Sequence, residues 1–275
     1  MRRRFLFALA ATWLAAPTLQ AANGQSPFVL GIAPHTSARV ILEMYQPLRR
    51  YLEAALQRPV EVRTAPDFTE FARRALNDEY DLAVTTGHQA RLFQSDAGYL
   101  PLLTYRADFK AVALVDRKGP YQDIAALRGS TVLGLSPTSL VTLWGQRWLR
   151  LQNLGDVTIR YVSAADSVSR LVLAGDASLA FTSLANYQKL PPEQREQLRI
   201  LAESEPMAGR VYVLNKRWAA RQKSIEQALW SFAASPAGLA YLAQNQLDGY
   251  RRLRPRELEA MDPYAAEVRQ VVLGR

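Results

Sequence analysis

The chain has 275 residues and no cysteine, with 34 Lys and Arg against 25 Asp and Glu, and it is 49% hydrophobic and 21% charged. That composition excludes a disordered or fibrous chain, a disulfide scaffold, a thiolate metal site, a Cys nucleophile and a lipid-modified cysteine. The length corresponds to about two domains, with apolar residues enough for two cores.

At the N-terminus, Arg2, Arg3 and Arg4 precede an apolar, uncharged run from Phe5 to Ala16, followed by Pro17 and small residues to Ala21 and Ala22. This is the order of a signal peptide: a basic region, an apolar region and a small-residue cleavage zone. The run is too short to span a bilayer comfortably, an N-terminal membrane anchor being the alternative reading, and no later stretch approaches the length that spanning needs. A cleavable signal over residues 1–22 is therefore expected, and with it a periplasmic protein without a lipid anchor. Arg2 to Leu6 fits the core of a twin-arginine signal, but the usual flanking residues are absent, which favours ordinary secretion. Removing three arginines leaves 31 basic residues against 25 acidic. The arginines fall in scattered pairs such as Arg49-Arg50, Arg73-Arg74 and Arg251-Arg252, without the interleaved aromatics of a nucleic-acid surface. They read as a solvated surface, with no nucleic-acid partner.

Residues 28–33 read as a strand ended by Pro34. Over 38–56, Val40, Ile41, Met44, Leu48, Leu52 and Leu56 recur mainly at three- and four-residue spacing, which predicts an amphipathic helix. Residues 60–63 form a second strand, 68–77 a second helix and 81–85 a third strand, which Thr86-Gly87-His88 turns into another helix. Such a βαβαβ series marks a parallel sheet with helices on both faces. A strand over 109–116 leads to Lys118-Gly119-Pro120, a break after which the cycle restarts. A short helix (123–127), a strand (131–135) and a helix (137–154) follow. Next come a strand (158–162), a helix (167–174), a strand (179–182), a short helix opened by Pro191-Pro192, and a strand (198–202). Residues 210–214 form another strand, and 218–273 read helical with breaks near Pro236, Gly249 and Pro263. The fold class is α/β, and the chain crosses between two lobes near Asp116 and again near Gly209. Lobe 1 then comprises 27–116 plus 210–275, and lobe 2 comprises 117–209.

Ligands of open α/β sheets lie beyond the carboxyl ends of the strands. The segments there are Pro34-His35, residues 65–68, Thr85 to His88, Ser136 to Ser139, Asp166-Ser167 and Thr182-Ser183. Most are hydroxyl residues or turn formers, which bind a ligand without supplying chemistry. Pro137 suits the first helical position with Ser136 as the cap, so the free N–H groups of that turn point an anion site at Ser136, Thr138 and Ser139. His35 and His88 are the only histidines and have no metal-ligand spacing, so no metal is expected. No phosphate-binding glycine motif is present, so no nucleotide cofactor is expected. Gly134-Leu-Ser-Pro-Thr138 begins like a nucleophile elbow but ends in Thr, and Pro137 lacks the N–H that an oxyanion needs, so no catalytic residue is assigned. Trp144 and Trp148 read as helix packing.

Several stretches together resemble the periplasmic phosphate, phosphite and phosphonate-binding proteins of ABC transporters. They are Pro47-Leu-Arg-Arg-Tyr-Leu52 with Arg58-Pro-Val-Glu-Val62, Tyr80-Asp-Leu-Ala-Val84, Gly98-Tyr-Leu-Pro-Leu102 and Ala111 to Asp116. Asp123 to Gly129 ahead of Thr131-Val132, Leu171-Val-Leu-Ala-Gly-Asp-Ala177 and Pro236-Ala-Gly complete the set. The resemblance implies a two-lobed type II periplasmic-binding fold, each lobe a mixed, mainly parallel sheet flanked by helices, with hinge closure over the ligand. It also implies a monomer that binds a small anion and hands it to a transporter permease. Relatives carry Ser-Thr-Ser-Gly at a helix start in the second lobe. Here Thr138-Ser139-Leu140-Val141-Thr142 retains only Ser139 of the three hydroxyls. The family's site tyrosines correspond to Phe68 and Phe109, and the acidic residue that would pair with a ligand ammonium corresponds to Arg210. These departures disfavour an aminoalkylphosphonate and suit a carboxylate or another oxyanion. Thr85, Thr86 and His88 join the expected ligand residues from the end of the third strand. Two other readings of the same chain are a sensor module for a membrane receptor kinase and a periplasmic hydrolase.

Overall fold

The computed structural model describes residues 26–162 and 167–274; the expected export signal at 1–22 and Asp166 lie outside them. The first lobe opens with β1 (Phe28–Ile32), then α1 (Ala38–Met44) and α2 (Gln46–Leu56). One helix is expected over 38–56, and two form. Pro47 has no N–H to donate to the Glu43 carbonyl, so the chain resets at Tyr45, whose φ and ψ are −90° and 2°. β2 (Val60–Arg63) and α3 (Phe68–Leu76) follow. Asp67 caps α3 by accepting from the N–H groups of Thr69 at 2.8 Å and Glu70 at 2.9 Å. β3 (Leu82–Thr86) runs into α4 (Gly87–Leu92), which continues as a π-helical turn over Phe93–Ala97. β4 (Leu100–Tyr105) has no counterpart among the expected elements, because Pro101 interrupts a strand pattern. Its register with the strand beside it shifts next to Pro101, where a ladder donor is missing.

The second lobe contains β5 (Ala111–Asp116), β6 (Thr131–Gly134), α5 (Leu140–Leu151), β7 (Thr158–Tyr161), α6 (Val168–Leu173), β8 (Leu179–Ser183), α7 (Leu184–Gln188), α8 (Pro192–Gln197) and β9 (Leu198–Glu203). The chain then returns through β10 (Arg210–Leu214), α9 (Gln222–Ala234), α10 (Pro236–Gln244), β11 (Tyr250–Arg251) and α11 (Asp262–Leu273).

The strands make two sheets, ordered β11-β4-β10-β3-β1-β2 and β7-β6-β8-β5-β9. In each, a parallel trio (β2-β1-β3 and β7-β6-β8) is extended by antiparallel strands. The antiparallel share exceeds what the βαβ pattern implies, because the strands that leave or re-enter each lobe run back along it. The expected boundary at residue 116 is corrected by β5, which pairs with β8 and β9 and so belongs to the second sheet. The outward crossing is 106–110 and the return crossing is 204–209. Both sit at the same side of the molecule, since Phe109 and Met207 form an isolated bridge between them.

Side-chain alternation divides each lobe into two apolar layers. In the first lobe, Phe28, Leu30 and Ile32 face α2 and α9, whereas Val29, Ala83 and Val211 face α3, α4 and α11. In the second, Ala113, Val132 and Phe181 meet α5, and Val112 and Leu114 meet α6. Trp144 and Trp148 stack with ring centroids 6.1 Å apart and meet Phe181 edge-on, so the pair belongs to the core. Among the described residues no helix is long and apolar enough to cross a membrane.

Candidate functional site

A cavity of about 1140 Å3 lies between the lobes, bounded by the ends of β1 and β3, both crossings and the start of α5. Of the expected ligand residues, Phe68, Thr85, Thr86, Phe109, Ser139 and Arg210 line it, whereas Ser136, Thr138 and His88 do not. Phe68 is held by a relay from β3: Thr85 Oγ1 donates to Gln89 Oε1 at 2.8 Å, and Gln89 Nε2 donates to the Phe68 carbonyl at 2.8 Å. Thr86 Oγ1 is buried and has no hydrogen-bond partner among the described residues.

The start of α5 differs from expectation. Pro137 and Thr138 form a turn, closed by Ser139 N–H donating to the Ser136 carbonyl at 3.1 Å, and Ser139 rather than Ser136 is the N-cap residue. The Ser139 hydroxyl donates to Thr142 Oγ1 at 2.8 Å, and Thr142 Oγ1 accepts from Leu135 N–H at 2.9 Å. The first-turn N–H groups are therefore those of Leu140, Val141 and Thr142, and Leu140 and Val141 line the cavity beside Ser139.

Thr138 and His88 join the lobes instead. His88 Nε2 donates to the Thr138 carbonyl at 2.9 Å, and Thr138 Oγ1 lies 3.0 Å from Thr69 Oγ1. Complete burial pulls the His88 pKa down to about 4, against the modest upward pull of that carbonyl.

Arg210 opens β10 and shares a sheet face with Tyr212. Its half-buried guanidinium lies close to Tyr45, Tyr105, Tyr212 and Tyr241, and no hydrogen bond or ion pair is found for it among the described residues. The tyrosines interlock: Tyr105 OH is 2.6 Å from Tyr212 OH and 2.8 Å from Tyr241 OH, and Tyr212 OH is 2.9 Å from Tyr250 OH. Burial, then mutual proximity, pushes these four phenols well above their ordinary value, so they stay neutral. Arg210 thus has neutral phenols around it and no counter-charge among the described residues. Lys189, beyond α7 on the other lobe, lines the same cavity and likewise has no acidic partner among the described residues. Partial desolvation, then the Arg210 charge, lowers its pKa. Lys110 is paired with Glu203 at 2.6 Å. Asp108 and Asp248 stand at the exposed rim with Arg106. Among the described residues no group of His, Asp and Glu is placed to hold a metal ion.

Residues 30–258 match the sequence profile of a family described as the ABC transporter, phosphonate, periplasmic substrate-binding protein. The chain belongs to this family. It is accordingly a periplasmic solute-binding protein serving an ABC transporter of phosphonates and related anions, with a small anionic ligand and a permease as its partners. No curated protein matches it significantly in sequence. Solved structures with the same fold include PhnD1 of Prochlorococcus marinus in complex with methylphosphonate. It is 12% identical with a TM-score of 0.77, over 89% of this chain and 100% of that one. Another is XAC2383 of Xanthomonas citri bound to chloride, 21% identical with a TM-score of 0.76, over 90% and 100%. A third is a binding protein component of a phosphonate transporter from Pseudomonas aeruginosa, 15% identical with a TM-score of 0.71, over 91% and 99%.

Two features of this phosphonate-binding family member escape sequence reasoning. Lys189 sits in no motif, and the tyrosines around Arg210 come from four separate elements, so no spacing announces them.

Proposed function

We propose that this member binds a small oxyanion or carboxylate across the cleft, with Arg210 as its principal anchor. The observation that carries the reading is a half-buried guanidinium with no carboxylate beside it among the described residues. Such a charge is costly to leave uncompensated, and an anionic ligand would provide the missing partner through a bidentate pair. Lys189 and the N–H groups of Leu140 and Val141 would meet the same anion from the second lobe, the latter at the positive end of α5. An anion touching both lobes favours the closed arrangement, with the crossings 106–110 and 204–209 as the hinge.

The two lobes in this reading are 26–105 with 210–274, and 111–203. Residues 1–22 would act as the cleavable export signal. A ligand ammonium finds no acidic partner near Arg210 and Lys189 among the described residues, so an aminoalkylphosphonate is a poor substrate. A thermal-shift panel of methylphosphonate, phosphate, phosphite, small carboxylates and 2-aminoethylphosphonate tests this, because a ligand that binds only the folded state raises Tm with concentration. The reading expects shifts from the simple anions and the smallest from the aminated one. A panel in which the aminated compound alone shifts Tm contradicts it.

A further inference from the structure

His35 follows β1 at the cavity wall, and its ring is fixed in one orientation. Nδ1 lies 2.8 Å from the Ala33 carbonyl, which can only accept, so Nδ1 carries the proton and donates. The other nitrogen, Nε2, is buried and has no partner among the described residues. His35 lines the main cleft and also a smaller adjoining cavity of about 180 Å3, with Lys189 and Asn186 bordering both. The groups facing it are Arg210 of β10, Lys189 beyond α7, Tyr187 of α7 and Tyr45, whose ring meets the imidazole edge-on at 6.4 Å between centroids. Burial first, then the charge of Arg210, with a smaller contribution from Lys189, holds the imidazole well below its ordinary pKa. It is therefore neutral, and Nε2 is a lone pair without a partner among the described residues, in the neighbourhood of two cations.

A lone pair there repels the unprotonated oxygens that the two cations attract. It needs a hydrogen-bond donor, which a protonated anion brings with it and a fully deprotonated one does not. We infer that His35 is a specificity-determining residue whose Nε2 accepts a hydrogen bond from the ligand's own acidic O–H. The cleft then selects an oxyanion that still carries a proton, such as a phosphonate monoanion, over one that carries none, such as a sulfonate. This inference rests on the oxyanion reading of the cleft.

Methylphosphonate and methanesulfonate in mildly acidic buffer form a matched pair. Each carries one negative charge on a tetrahedral head, and only the phosphonate has an O–H. Calorimetric titration of the wild-type chain should give methylphosphonate an affinity at least about tenfold above that of methanesulfonate, because one buried hydrogen bond is gained and one orphaned acceptor is avoided. His35→Phe, which keeps the ring packing against Tyr45, should remove the preference by weakening methylphosphonate and leave methanesulfonate within about twofold. His35→Gln, which can present a carbonyl in its place, should restore part of it. Equal affinities in the wild type overturn the inference without any variant, and so does a preference that survives in His35→Phe. If neither anion binds the wild type, the oxyanion reading itself fails and this inference falls with it.

Discussion

His88 of the first lobe and Thr138 of the second are joined by a buried hydrogen bond of 2.9 Å, donated by Nε2 to the carbonyl one residue before the α5 cap. The same Thr138 meets Thr69 through its hydroxyl, and Arg150 of α5 pairs with Glu267 of α11 at 3.0 Å. These ties hold the turn ahead of α5 in the second lobe against the first, so they set where Leu140 and Val141 stand relative to Arg210.

The fold's dependence on His88 has a definite sign. Its pKa is about 4 in the fold against an ordinary 6.5, so the unfolded chain takes up a proton that the folded chain refuses. The stability from neutral His88 is complete above 6.5 and falls by about 1.4 kcal/mol per pH unit as the pH drops toward 4, roughly 3 kcal/mol in all. Denaturant unfolding at several pH values should show this fall in the wild type and a flatter profile in His88→Gln. Parallel profiles would remove His88 as the source.

Gly87 begins α4 beside the return crossing, where its N–H donates to the Ala208 carbonyl at 3.1 Å. A Cβ at this position would stand 2.8 Å from the same carbonyl oxygen and closer still to the Ala208 methyl. Gly87→Ala should cost about 1–3 kcal/mol and lower Tm by several degrees, since backbone rather than a flexible side chain must move. A Tm equal to that of the wild type would show that the crossing gives way freely.

Tyr105 is the hub of the tyrosine cluster. Tyr105→Phe leaves the buried hydroxyl of Tyr241 without its partner and takes one from Tyr212. The expected cost is about 1–3 kcal/mol in unfolding free energy. Anion affinity should fall as well, because Arg210 loses one of the hydroxyl dipoles near it. Unfolding measured with and without methylphosphonate separates the two effects, and an unaltered stability would mean that the cluster is replaced by water at no cost.

Parallel strands buried on both faces are continuous apolar runs, and helices such as α2 and α3 have strong periodicity, so β1, β3 and most helices are legible in the sequence. Pro101 hides β4, and the apolar run 111–116 fixes a strand but not the sheet it joins, so the outward crossing is displaced until the pairing is seen. The site is legible where strand ends place it: Thr85, Thr86, Phe68 and Arg210 line the cleft. Ser136, Thr138 and His88 stand at equivalent positions, yet they do not line the cavity. That outcome depends on how Pro137 turns the chain, which composition does not encode. Lys189 and the tyrosines meet Arg210 only through tertiary packing.

The account depends most on Arg210. Titration of the wild type and of Arg210→Met with methylphosphonate, alongside unfolding of both without ligand, tests it directly. The substitution should weaken binding at least about 30-fold, since one member of a desolvated charge pair is removed. The ligand-free variant should be as stable as the wild type or more so, since an uncompensated charge is gone. An unchanged affinity would contradict the account.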